Sequence, residues 1–151
     1  GGWQELAREA NANTPRLLTH DRNGRRVDTV QYHASYHQLM SLGIENGVSA
    51  FAWGEHAGRQ GVHTARSALN YMMYQLECGV GCPMTMTFAA VPALACTPSV
   101  GEAWLPALTA GRYDGRDVPL HEKAPRTPTS QKVAGIDHLP HGRRAGPSAC
   151  R

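Results

Sequence analysis

A chain of 151 residues with a formal net charge of +3 and a 41% hydrophobic share is sized for one folded domain around one core. That length excludes a dinucleotide domain joined to a separate substrate domain, and the composition excludes a collagen-like or wholly disordered chain. No apolar run reaches the length of a bilayer span and no basic-then-apolar leader opens the sequence, so neither a membrane protein nor a secreted one is expected.

In chain order, Trp3 to Asn11 predicts a short helix that stops near Thr14-Pro15, because the residue ahead of a proline disfavours the α region. Asp21-Arg22-Asn23-Gly24 predicts a tight hairpin turn with short extended arms, Asn-Gly taking the positive φ angles such a turn needs. Ser35 followed by Gln38 fits a capping box that opens a helix running to Asn46-Gly47. From Val62 to Glu77, the residues Val62, Ala65, Leu69, Met72, Met73 and Leu76 recur at three- and four-residue spacing and predict one apolar stripe. His63, Arg66, Asn70 and Glu77 are expected away from it, and Gly79 suits a C-terminal cap.

Pro83 suits the first turn of a further helix. It is apolar on nearly all sides through Met84, Met86, Phe88, Ala89, Ala90 and Val91, until Pro92 kinks or ends it. A helix without a polar face belongs inside. Ser99 with Glu102 fits a second capping box, and Pro106 restarts a turn that ends at Gly111. With neither strand-helix alternation nor an internal repeat, the expected class is all-α.

Residues 1–120 carry nine basic and ten acidic side chains, whereas residues 121–151 carry six and two, and every aromatic residue falls at or before Tyr113. A folded helical region over 1–120 is therefore expected, followed by a basic, proline-rich, disordered tail over 121–151 that has too little apolar surface to offset chain entropy. Of the four cysteines, Cys78, Cys82 and Cys96 lie in or beside apolar helical sequence, which predicts reduced, buried thiols and a cytoplasmic setting.

Local motifs assign no chemistry. His33 and His37 share a helical face, but no third ligand is near, and Ala34 stands where a zinc peptidase carries glutamate. Cys78 and Cys82 flank a glycine-rich break rather than a zinc-ribbon spacing. Gly79-Val80-Gly81 lacks the strand, third glycine and lysine of a phosphate loop, and no serine sits in a hydrolase elbow. No catalytic, cofactor-binding or metal-ligating residue follows from these patterns. Arg22, Arg25 and Arg26, with Arg143 and Arg144 in the tail, support an alternative class: a small helical binding module whose basic tail meets nucleic acid or another acidic partner. Against it, the tail has no aromatic residue to stack on bases.

Several motifs in one order carry a resemblance. Leu6-Ala7 leads to Asn13-Thr14-Pro15-Arg16-Leu17, then His20-Asp21-Arg22-Asn23-Gly24-Arg25-Arg26-Val27-Asp28, then Tyr32-His33-Ala34-Ser35-Tyr36-His37-Gln38-Leu39-Met40. Ala52-Trp53 follows, then Cys82-Pro83-Met84-Thr85-Met86-Thr87-Phe88-Ala89-Ala90 and Arg112-Tyr113-Asp114. Together they resemble the N-terminal helical domain of the AidB-type, adaptive-response branch of the acyl-CoA dehydrogenases, over residues 3–120. Ala34 departs from the family, which commonly has proline there; Ser35 offers a substitute cap.

The resemblance implies an N-terminal helical domain, a middle β-domain and a C-terminal helical bundle, with FAD and an acyl-CoA held between them. Thr85, Phe88 and Ala89 share one helical face and are the candidates for the wall of the substrate pocket. It also implies that the family's flavin-contacting motif, which opens the β-domain, and the catalytic carboxylate of the C-terminal bundle lie beyond this sequence. The expectation is an inert piece of a flavoprotein: its start lies upstream of Gly1-Gly2-Trp3, it binds no FAD alone, and it self-associates through surface meant for absent domains. The parent is expected to be a homo-oligomer that takes an acyl-CoA, with any DNA contact, tied to the response to DNA alkylation, made by the C-terminal domain.

Overall fold

A computed structural model describes residues 2–118 and 122. In chain order these form α1 (Gly2–Ala12), β1 (Arg16–His20), β2 (Arg26–Gln31), α2 (Ala34–Glu45), α3 (Val62–Leu76), α4 (Gly81–Ala95) and α5 (Pro98–Leu108). The chain is mostly helical, and the expected all-α class is corrected by the β1–β2 hairpin. The disordered tail expected over 121–151 lies outside the described residues, Glu122 apart.

Asp21 builds the hairpin turn: its carboxylate accepts from the N–H of Asn23 at 2.7 Å and of Arg25 at 2.9 Å. Of the Asn-Gly pair only Gly24 takes a positive φ, of 76°, so the turn differs from the two-residue type expected. Leu17 lies opposite Val30, and the register slips between Leu18 and His20. Across that slip Asp28 is held at φ 46°, with its carboxylate 2.6 Å from Arg26 Nε. Leu17, Leu18, Val27 and Val30 are all exposed, so neither face of the ribbon is sealed.

The core gathers Leu39 and Met40 of α2, Val48 beyond it, Met73 of α3, Val80 just ahead of α4 and Met84 within it, with Leu6 and Ala10 of α1 packed against them. Gly43 makes this possible: a Cβ there would lie 2.3 Å from Met84 Cε, so the missing side chain is the space that Met84 fills. Helix α1 is tied down by Ser35, a buried hydroxyl that donates to the Glu9 carboxylate. That bond removes Ser35 from its expected capping role. The cap is His33, whose ring accepts from Ser35 N–H at 3.3 Å.

Similar shifts occur further on. α3 ends at Glu77 in an extended conformation, and the Glu77 carboxylate, not Gly79, closes the corner by accepting from Val80 N–H at 2.8 Å. α4 runs through Pro92 to Ala95, and it is buried along one stripe only: Met84 and Val91 are covered, while Met86 is 67% exposed, against the expectation of an enclosed helix. α5 begins at Thr97-Pro98, where proline at the first position needs no N–H partner, so Ser99 and Glu102 lie inside the helix rather than capping it. Pro106 is likewise internal. Cys78 and Cys82 are free but exposed, and Cys96 is both exposed and disulfide-bonded, so the reduced, buried reading fails in one respect for the first two and in both for Cys96. Among the described residues no helix is long and apolar enough to cross a membrane.

After Gly111, at φ 61°, the chain returns to α2, where the Tyr113 hydroxyl lies 2.7 Å from His37 Nδ1 beside the stacked rings of Tyr32 and Tyr36. Burial, with Tyr36, Tyr32 and Asp114 adding to it, pushes the Tyr113 phenol up to about 12. Burial also raises Tyr36.

Two outcomes follow for stability. Leu39, fully buried, should cost about 2–5 kcal/mol on truncation to Ala, whereas Leu17→Ala on the open hairpin should stay within about 0.5 kcal/mol. Equal urea midpoints for the two variants would refute this placement of the core. A raised phenol keeps its proton longer in the folded chain than in the unfolded one, so its contribution is whole below pH 10 and lost as pH rises towards 12. Tyr113→Phe should flatten that alkaline decline in a urea-midpoint series, and an unchanged slope would count against the buried corner.

Candidate functional site

Phe88, at the middle of α4, is the centre of a cluster contributed by three parts of the chain. Trp53, from the turns between α2 and α3, donates its indole N–H to the Phe88 carbonyl at 2.9 Å, with the two rings 5.1 Å apart. His63, at the start of α3, meets Trp53 edge-on at 5.1 Å. One turn later on α3, the Arg66 guanidinium lies over the Phe88 ring, its Cζ 3.9 Å from the centroid, a distance at which the ring's negative face attracts the cation.

Arg66 is 7% exposed. Its Nε donates to the Val48 carbonyl at 2.9 Å, which fastens α3 to the segment after α2. Its Nη2 is sealed from solvent with no hydrogen-bond partner, and so are Asn70 Oδ1, which accepts, and Thr85 Oγ1. Desolvation pulls the guanidinium below its ordinary value, with Tyr74 opposing. An arginine nonetheless stays charged at neutral pH, so a largely buried cation stands here.

Of the three residues expected to form a substrate wall, Thr85 and Phe88 are half-buried, Phe88 under Arg66, whereas Ala89 is exposed. Arg66, Trp53 and His63 went unassigned in the sequence. The signal for Arg66 was present: it stands four residues after Val62 and three before Leu69, squarely in the buried stripe.

The other motifs are occupied otherwise. His33 caps α2 and His37 turns to Tyr113, so the two rings serve different partners. Among the described residues no group of three His, Cys, Asp or Glu side chains could hold a metal ion. The Gly79-Val80-Gly81 corner does not fit a phosphate: the Val80 N–H is already taken by the Glu77 carboxylate, and a Tyr74 ring atom lies 2.3 Å from where a Gly81 Cβ would be. The described residues therefore present no seat for a flavin diphosphate at that corner.

The model of the adaptive response protein AidB N-terminal domain matches residues 1–115. Over 120 residues the chain is 42% identical to AidB of Escherichia coli (strain K12), whose name places it with the acyl-CoA dehydrogenases; the match covers 79% of this chain and 22% of that one. The chain thus spans about a fifth of that relative's length. Among solved structures it is similar to Caenorhabditis elegans ACDH-11 in complex with C11-CoA, with a TM-score of 0.64 and 26% identity over 73% of this chain and 19% of that one. It shares the fold of the apo form of Bd2924, with a TM-score of 0.67 and 24% identity over 73% of this chain and 22% of that one. The chain belongs to the family of AidB N-terminal domains, within the wider group of acyl-CoA dehydrogenase-like proteins.

Proposed function

We propose that this domain supplies one wall of an acyl-thioester pocket in an AidB-like, FAD-dependent acyl-CoA dehydrogenase, and that alone it is catalytically inert. The observation that carries the reading is the Phe88 cluster: an aromatic ring clamped by Trp53 and Arg66 on the α4 segment that resembles the family's substrate-side helix. The C11-CoA of the ACDH-11 structure supports a long acyl thioester as the substrate class.

In this reading the wall positions and excludes. Phe88, held between its two neighbours, presents a fixed apolar edge, and exposed Ala89 stands next to it for an alkyl chain. FAD, when bound by the parent, accepts the hydride. Neither that chemistry nor α-proton removal is assigned to any residue here, since no carboxylate of the described residues joins the Phe88 cluster. Any DNA contact would be made outside this domain, in a cytoplasmic parent. Of the arginines behind the basic-tail alternative, Arg22, Arg25 and Arg26 lie at the hairpin, while Arg143 and Arg144 lie outside the described residues.

Exposed Trp3, Tyr71, Met72, Tyr74, Met86 and Trp104 support an origin in a larger, oligomeric assembly that covers them. The isolated chain should therefore self-associate, with a mass in sedimentation that rises with concentration; a monomer at all concentrations would contradict this.

The functional reading is tested by a chimera in which residues 1–120 replace the matching segment of the Escherichia coli relative. It should retain flavin and lose its absorbance near ~450 nm on adding an acyl-CoA, while the 151-residue chain alone should keep no flavin after desalting. A folded chimera that bleaches with no acyl-CoA offered, or a stoichiometrically yellow chain, would sink the proposal.

A further inference from the structure

The β1–β2 ribbon is a sheet of two strands, and such a pair left to itself is marginal in water. Besides their own pairing and the turn, no backbone hydrogen bond of the described residues joins either strand to another segment. Each strand therefore keeps one open edge, a row of donors and acceptors that another chain can pair with.

The two edges differ. Leu18 pairs with Thr29 and His20 with Arg26, so Val27 and Asp28 together stand opposite Thr19 alone. The extra residue is a bulge in β2, marked by Asp28 at φ 46° and its ion pair with Arg26. A bulge and a charged pair are what sheets commonly use to keep an edge from being extended. β1 has neither. All five of its residues, Arg16–His20, are exposed. Leu17, at 63% the most open aliphatic side chain of the ribbon, shares one face with Thr19, and Arg16 shares the other with Leu18.

Charge decides what fits this edge. Residues 16–28 carry Arg16, Arg22, Arg25 and Arg26 against Asp21 and Asp28. Both acids are committed within the ribbon, Asp21 to the N–H groups of Asn23 and Arg25 and Asp28 to the Arg26 side chain. Among the described residues Arg16, Arg22 and Arg25 have no acidic partner. A second copy of β1 would repeat the same cationic, acid-free strand. A nucleic acid would answer the arginines but neither the backbone edge nor exposed Leu17 and Leu18.

We infer that the β1 edge is a docking site for an extended, acidic polypeptide segment, which adds as a third strand beside Arg16–His20. Main-chain hydrogen bonds supply the attachment, as in other strand additions. Alternation supplies the selectivity: carboxylates meet the Arg16 face, and apolar side chains meet Leu17. Arg22 and Arg25 at the turn add attraction at longer range.

The test follows the backbone amides of Arg16 to His20 in 1H-15N spectra of the full chain. The probe is a short capped peptide of alternating valine and glutamate. It is compared with the same peptide carrying lysine for glutamate, with a form N-methylated on every residue, with duplex DNA, and with phosphatidylglycerol vesicles. The glutamate peptide should shift the β1 amides saturably and slow their exchange with solvent, more weakly as salt is raised. The lysine peptide should bind at least ~10-fold more weakly, and the N-methylated one, which cannot donate, should not bind. Arg16→Glu is a change at an exposed site and should erase the preference for glutamate over lysine, with the Trp53 indole signal reporting that the fold persists.

Equal affinity for the glutamate and lysine peptides would overturn the acidic partner. Binding of the N-methylated peptide, or shifts confined to β2, would overturn strand addition at β1. Shifts of the β1 amides with DNA or vesicles as strong as with the peptide would overturn the polypeptide assignment. No shift with any probe would overturn the docking edge altogether.

Discussion

The reach of the Met84 side chain from α4 into the space at Gly43 of α2 sets the rest of the molecule. Because residue 43 has no side chain, Met84 passes into the space and meets Met73 there, so one contact registers three helices at once. Close packing admits few alternatives once such a contact is made. It fixes the rotation of α4, and one turn further along the same helix face Phe88 falls under Arg66 and beside Trp53. The functional cluster is thus a consequence of a steric vacancy about a turn away, and α1 and the Tyr113 corner close over α2 from the other side.

Much of this was legible in the sequence. The four helices α1 to α4 announce themselves by proline and glycine punctuation and by apolar spacing, and the hairpin by Asp21 and Gly24. The class was misjudged because each strand is too short and too exposed to show an alternating pattern; the ribbon is held by its turn and its own pairing rather than by a buried face. The caps failed for a tertiary reason. Ser35 has the chemistry to cap α2, but α1 presents Glu9 to its hydroxyl, and His33 takes the vacated duty. No local pattern contains that competition, since the partners are 26 residues apart.

Of the candidate wall, Thr85, Phe88 and Ala89 came from a resemblance alone; the first two are half-buried, with Phe88 under Arg66, and Ala89 is exposed. Arg66 and Glu77 were set aside because charged residues are expected outside, although both occupy the three-four spacing of the stripe and both are buried. The two resolve their burial differently. Glu77 satisfies its charge locally at a helix corner, which is a structural solution. Arg66 satisfies only one of its donors on the backbone and its face on a ring.

That difference separates packing from recognition. A leucine or methionine at position 66 would fill the stripe at no desolvation cost, and replacing buried charge by apolar volume is commonly neutral or stabilising. What such a residue cannot do is hold out unspent hydrogen-bond donors beside an aromatic wall. Fold stability alone would favour the apolar choice, because the cation–π contact with Phe88 and the bond to Val48 return only part of the cost of burying a guanidinium. Nη2 of Arg66 stays sealed without a partner, as does Asn70 Oδ1, an acceptor one turn along the same helix.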